Sequence, residues 1–239
     1  MMKHKFLTAE WKNLVMANYV IDPALLNKYL PYKTELDLFN GKVYVSLVGF
    51  MFTNTRLKGF RIPFHVNFEE VNLRFYVRHN DNGAWKRGVV FIKEIVPKAA
   101  ISLIANTFYK EKYCRMPMRN FCTVENDRIL TGYQWKKNGN WNKLNVVAEN
   151  KAIELIPGSE AEFICEHYWG YSKYNGHTTN EYEVQHPSWK VYPVKSYIID
   201  CDFEKLYGTD FSFLKTAVPT SVFMAAGSAV SISNKNTLK

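Results

Sequence analysis

Two glutamates carry the first suggestion of chemistry. Glu94 lies in Gly88-Val89-Val90-Phe91-Ile92-Lys93-Glu94-Ile95-Val96, a run that is apolar except at Lys93 and Glu94. Read as a strand of period two, the run puts Glu94 on a face with Val90, Ile92 and Val96. A carboxylate among such neighbours must be paired, or held protonated by a raised pKa, and either state suits acid/base work. A strand end near solvent, or a structural pair with an arginine, would also account for it. Glu70 opens a second pattern. From Glu70 to Arg78 the chain alternates, with Val71, Leu73, Phe75 and Val77 on one face and Glu70, Asn72, Arg74, Tyr76 and Arg78 on the other. Glu70, Asn72 and Arg74 in a row can line a pocket, where Arg74 would clamp a carboxylate or phosphate. A solvated strand face gives the same pattern. The third candidate is Glu166-His167-Tyr168-Trp169-Gly170-Tyr171, an acid, an imidazole and three aromatics in six residues. As strand, it pairs Glu166 with Tyr168, and His167 with Trp169 and Tyr171. Aromatic walls with a few polar groups suit a small-molecule pocket, and a core girdle of aromatics would look alike.

The elements that must hold these residues are mostly strands. Asn13 to Ile21 reads as the first. Asp22-Pro23 then caps and starts a short helix ending at Pro31. Glu35 to Phe39 and Lys42 to Phe52 flank Asn40-Gly41, a strong hairpin signal. Glu70 to Arg78 and Gly88 to Val96 are strands, and Lys98 to Tyr109 reads as a helix. Ile129 to Trp135 and Asn142 to Ala148 form another hairpin. Ala161 to Lys173 pairs with Thr179 to Gln185 around Asn175-Gly176. Trp189 to Ile199 is a strand interrupted by Pro193. Phe203 to Tyr207 is a helical turn closed by Gly208, and Ser221 to Ser231 is a last strand. Many paired strands without βαβ alternation predict one β-rich α+β domain over residues 1–239, a barrel or sandwich.

Composition narrows the function classes. The chain has 239 residues, 47% hydrophobic and 15% aromatic, far from a disordered composition. No segment approaches the roughly 20 apolar residues of a membrane span, and no signal peptide is seen, so a cytoplasmic protein without membrane contact is expected. The net charge of +9 is scattered, Lys136-Lys137 being the longest basic run, which disfavours nucleic acid as a partner. Cys114, Cys122, Cys165 and Cys201 form no CxxC pair, so neither a zinc site nor a disulfide is expected. The GxSxG elbow, phosphate loop, HExxH and dinucleotide fingerprint are missing, and no cofactor is implied. His65 and His186 stand alone beside proline-containing loops. The oligomeric state is left open.

The same segments carry a resemblance. Phe68-Glu69-Glu70-Val71-Asn72-Leu73-Arg74, Arg87 through Pro97, Glu166 through Tyr171, and Asp200-Cys201-Asp202 with Leu206-Tyr207-Gly208 resemble an uncharacterised bacterial family, often called YqjF-like. That family is regarded as a distant relative of acetoacetate decarboxylase. The resemblance implies a cone-shaped β-barrel with a few short helices and a polar, partly closed interior. It puts Glu70 at the early-strand glutamate of the decarboxylases. Their Gly-x-Pro-Lys-Lys segment supplies a Schiff-base lysine, and Tyr113-Cys114 stands where that lysine pair would be. The imine nucleophile is therefore absent unless Lys110 or Lys112 replaces it. The expected function is binding of a small, anionic organic molecule, with Glu70 and Glu94 as the acid/base pair. Asn72, Arg74, Arg115, His167, Tyr168 and Trp169 are the expected substrate contacts. An enzyme on this site would be a lysine-independent lyase or hydrolase of a small organic acid. A non-catalytic binding or structural module is the alternative.

Overall fold

A computed structural model of the chain describes residues 5–98 and 111–239. Most of it is one 14-stranded sheet. Strands β1 (Lys5–Ile21), β3 (Val43–Leu57), β4 (Phe68–Asp81) and β5 (Ala84–Val96) lie side by side, and β2 (Glu35–Leu36) and β6 (Tyr113–Arg115) are short additions to β4 and β5. β10 (Trp169–Asn175) joins β5 in parallel and β11 (Thr178–Gln185) joins β10. β11 then pairs with β13 (Ser221–Ser233), which itself pairs with β1, so seven strands close into a ring. Closure removes exposed edges. A Cβ at Gly88 would sit 2.5 Å from the Trp169 carbonyl oxygen, so glycine permits the close parallel β5–β10 approach.

The remaining strands form a second layer. β12 (Val191–Asp200) pairs with β13 through Pro193, then leaves it to pair with β9 (Asn140–Glu149). β8 (Arg128–Lys137) and β7 (Met118–Glu125) continue that layer, and β14 (Asn236–Leu238) edges β11. Proline breaks the ladder where the strand changes partner, because it donates no hydrogen bond. The outer face of the ring buries Val71, Leu73, Phe75 and Val77 against Tyr133, Trp135, Leu144 and Val146 of the second layer. The inner face buries Leu14, Met16, Val48, Phe50, Tyr76 and Val89. Both faces of β4 are therefore buried, and its polar side is not the solvated one.

Several expectations change in physical detail. The strand expected from Ala161 begins only at Trp169; helix α1 (Glu160–Cys165) precedes it. Ser159 Oγ accepts from the Glu162 amide at 3.2 Å, an N-cap that the apolar run Phe163-Ile164-Cys165 obscured. The Asn40-Gly41 turn forms, with φ of 50° and 74°, but carries only the Phe39–Lys42 bridge. β1 and β4 occupy both edges of β3, so Glu35–Leu36 pairs with Arg78 and Val77 instead. Asp22 caps a 3-10 helix over Pro23–Tyr29, and α2 (Phe203–Tyr207) ends at Gly208, as expected. The helix expected from Lys98 to Tyr109 lies outside the described residues but for Lys98.

One irregularity decides where Glu94 points. Arg74 pairs with Phe91 and Leu73 with Lys93, so Ile92 is the extra residue of a β-bulge. The bulge reverses the alternation beyond it. Glu94 consequently faces the ring interior with Val89 and Phe91, whereas Val90 and Ile92 face the other core.

Candidate functional site

Two adjoining cavities occupy the ring interior. One, of about 60 Å³, has a floor of Glu70, Asn72, Arg74 and His167 under a wall that includes Trp11, Phe91, Trp169 and Trp189. The other, of about 90 Å³, is almost wholly apolar, with Phe6, Leu57, Ile62 and Phe68 among its lining residues. Glu94, Tyr113 and Tyr182 border both. Sheet register explains the grouping, since Asn72 stands opposite Glu94 and Glu94 opposite Tyr113.

Three buried carboxyls meet here. Glu70 Oε1 accepts from Asn72 Nδ2 at 2.9 Å and Oε2 accepts from Tyr113 Oη at 3.0 Å. Glu111 Oε1 accepts from Tyr182 Oη at 2.8 Å. Gly170 makes room for that tyrosine, because a Cβ there would lie 2.1 Å from its ring. Burial pushes Glu70 up to about 7, against the hydrogen bonds from Asn72 and Tyr113 and the charge of Arg74. Burial also pushes Glu111 up to about 8. Glu94, 2% exposed, is raised well above the ordinary range by burial and then by the charges of Glu111 and Glu70. At neutral pH the site therefore holds protons.

Glu94 is buried, but the structural pair with Arg74 or another cation that its apolar face suggested does not form among the described residues. The Arg74 guanidinium lies 5.6 Å over the Tyr76 ring, with Nη2 3.9 Å from Met16 Sδ, and its charge acts on Glu70. His167 Nε2 donates to Asp37 Oδ2 at 3.1 Å, and Arg87 Nε donates to the same oxygen at 2.6 Å. Burial lowers His167 to about 4, so the imidazole is neutral. Burial opposes ionisation of Asp37, but the His167 and Arg87 hydrogen bonds outweigh it and lower its pKa.

Five buried polar atoms of residues lining the smaller cavity find no hydrogen-bond partner among the described residues. They are Trp11 Nε1, Asn72 Oδ1, Arg74 Nε, Glu94 Oε2 and His167 Nδ1. An unmet buried polar atom costs about 1–3 kcal/mol, so their clustering marks this cavity as the candidate site.

The residues expected at the site divide accordingly. Glu70, Asn72, Arg74, Glu94, His167 and Trp169 come together around the smaller cavity. Tyr168 does not join them: it hydrogen-bonds Glu166 and packs its ring 4.7 Å from His186. Residues 166–168 precede β10, so strand alternation does not orient them. Arg115 is exposed and donates to the Pro97 carbonyl at 3.3 Å, outside both cavities. Lys112 lies with Nζ 4.9 Å over the Tyr29 ring, and Lys93 donates to the Leu206 carbonyl. Burial lowers both lysines; for Lys112 it outweighs the upward pull of Glu111. Lys110 lies outside the described residues. Sequence reading missed Glu111, Tyr182, Asp37 and Arg87 as parts of the site. Glu111-Lys112-Tyr113 does carry a signal, a period-two pair beside the presumed lysine position.

A family model for uncharacterised conserved proteins, DUF2071, matches residues 8–229. The chain belongs to the DUF2071 family. A relative within reach of sequence comparison is the uncharacterised protein YqjF of Bacillus subtilis (strain 168), 31% identical over 111 residues. That match spans 46% of this chain and 44% of YqjF. Among solved structures, an acetoacetate decarboxylase-like enzyme from Sphingomonas wittichii RW1 superposes with a TM-score of 0.67 at 11% identity, covering 98% of this chain and 94% of that one. The acetoacetate decarboxylase of Legionella pneumophila gives 0.65 at 12% identity, covering 98% and 87%. The enduracididine biosynthesis enzyme MppR, complexed with pyruvate, gives 0.65 at 11% identity, covering 100% and 92%. This DUF2071 protein thus has the acetoacetate-decarboxylase-like fold, mainly β with few short helices. Among its described residues no helix is long and apolar enough to cross a membrane.

Proposed function

We propose that this DUF2071 protein binds a small organic carboxylate in the ring interior. The observation that carries the reading is the set of unmet polar atoms on Asn72, Arg74, Glu94 and His167 around one cavity. Arg74 is the cation for the carboxylate, and protonated Glu94 is a donor to a second ligand oxygen. The apolar cavity beyond Glu94 takes the carbon chain. Pyruvate in the structurally similar MppR is a ligand of that chemical class. In a reaction at this site Glu94 would deliver a proton, and Glu70, titrating near 7, would accept one. Among the described residues no lysine lines either cavity, which supports a lysine-independent lyase or hydrolase over imine chemistry.

Thermal shift and calorimetry with short carboxylates test this. A ligand at 100 times its Kd adds about 2.7 kcal/mol of stability. Binding tightens as pH falls from 8.5 to 6, because protonating Glu111 (about 8) and Glu70 (about 7) removes negative charge beside the anion. No stabilisation by any short carboxylate at pH 6, or affinity that rises with pH, overturns the reading.

A further inference from the structure

We infer that Asp37 and Arg87 lock His167 so that its bare Nδ1 faces the cavity as a hydrogen-bond acceptor, and that the ligand is therefore a short hydroxy acid. The inference rests on the carboxylate reading above and goes beyond it by fixing the group next to the carboxylate.

Asp37 Oδ2 receives two hydrogen bonds, from Arg87 Nε at 2.6 Å and His167 Nε2 at 3.1 Å. A carboxylate facing a guanidinium is ionised and can only accept. His167 Nε2 must then carry the proton. A neutral imidazole has one N–H, so Nδ1 presents a lone pair. The His167 side chain is 1% exposed, its Nδ1 has no partner among the described residues, and the ring lines the smaller cavity. The other unmet groups there include the Arg74 Nε–H, a donor.

His167 and Arg74 are neighbours through one ring. The Tyr76 ring lies 4.7 Å from the His167 ring and 5.6 Å from the Arg74 guanidinium. A ligand with its carboxylate on Arg74 thus brings the substituent on its adjacent carbons to His167. A hydroxyl satisfies the lone pair by donating. An oxo group offers only lone pairs and meets Nδ1 unfavourably, and a plain alkyl acid leaves it unmet. Asp37 and Arg87 are positioning residues, since neither lines the cavity.

Two measurements test the inference. Nitrogen-15 NMR of the imidazole in the full chain should show a bare Nδ1 and a protonated Nε2, unchanged from pH 8 to 6. Calorimetry should show 2-hydroxypropanoate or 3-hydroxypropanoate binding about tenfold tighter than propanoate, with 2-oxopropanoate weaker than its hydroxy counterpart. His167→Phe should abolish the preference for hydroxy over plain acids. A protonated Nδ1, equal affinities for hydroxy and plain acids, or a preference that survives His167→Phe overturns the inference and leaves the carboxylate reading standing. If no carboxylate binds, the reading beneath it falls as well.

Discussion

Replacing Glu70 with glutamine separates the cost of burying this carboxyl from the value of its hydrogen bonds. Glu70 titrates at about 7 rather than 4.5, chiefly through burial. A carboxyl whose pKa is raised on folding contributes fully to stability below its unfolded pKa, and that contribution is lost as pH rises through the folded value. A rise from 4.5 to about 7 corresponds to about 3 kcal/mol, withdrawn progressively between pH 4.5 and 7. The amide cannot ionise and escapes this loss. It keeps an oxygen for the Asn72 donor but turns an amide nitrogen toward Tyr113 Oη, a cost of about 1 kcal/mol at every pH. E70Q should therefore be less stable than the parent by about 1 kcal/mol at pH 4 and more stable by about 2 kcal/mol at pH 8. Urea denaturation at the two pH values, with far-UV circular dichroism as the signal, measures both differences. A destabilisation of the same size at pH 4 and pH 8 would refute the argument, because it would mean Glu70 ionises in the folded protein as it does in water.

Two more outcomes follow from the same geometry. Glu94→Leu removes a buried carboxyl whose Oε2 has no partner and should hold or raise stability at pH 8, whereas Arg74→Leu removes the cation acting on Glu70, lowers stability and weakens carboxylate binding more than tenfold; urea titration and calorimetry would show the reverse order if the residues were misassigned. Incubation with acetoacetate and borohydride should leave the intact mass unchanged, since Tyr113 and Cys114 form no imine; a stoichiometric lysine adduct would place an amine at the ligand.

Most of the strands, most turns and the polar row Glu70-Asn72-Arg74 were legible because they rest on local periodicity and turn chemistry, whereas the strand Met118–Glu125 was missed. Burial of Glu94 was legible for the same reason, but its facing residues were not. A one-residue bulge at Ile92 leaves no compositional mark in an apolar strand, yet it reverses every side chain beyond it. Asp37 and Arg87 were invisible because they meet His167 from positions 130 residues away in one case and 80 in the other, brought together only by ring closure. Tyr168 was placed at the site by spacing within a segment that turns out to be loop, and Arg115 by the resemblance, though it sits at an exposed strand end.

Ring closure also supports the proposal that the polar residues serve a ligand rather than stability. The inner face of a closed sheet cannot be wetted as one side of an open sheet can. Its polar groups must satisfy one another or something they enclose. Glu70 is answered by Asn72 and Tyr113, Glu111 by Tyr182, and Asp37 by Arg87 and His167. Among the described residues these pairings leave five unmet atoms around one cavity, an indole N–H, an amide oxygen, a guanidinium N–H, a carboxyl oxygen and an imidazole lone pair, and the Thr55 hydroxyl at the adjoining one. At about 1–3 kcal/mol each, the five atoms around the one cavity amount to about 5–15 kcal/mol, comparable with the whole stability of a folded domain. Apolar residues of similar size would remove that cost without disturbing the sheet. A polar set retained around one cavity, beside an apolar chamber of about 90 Å³, is what supports the proposal of a ligand with a charged head and a short carbon chain.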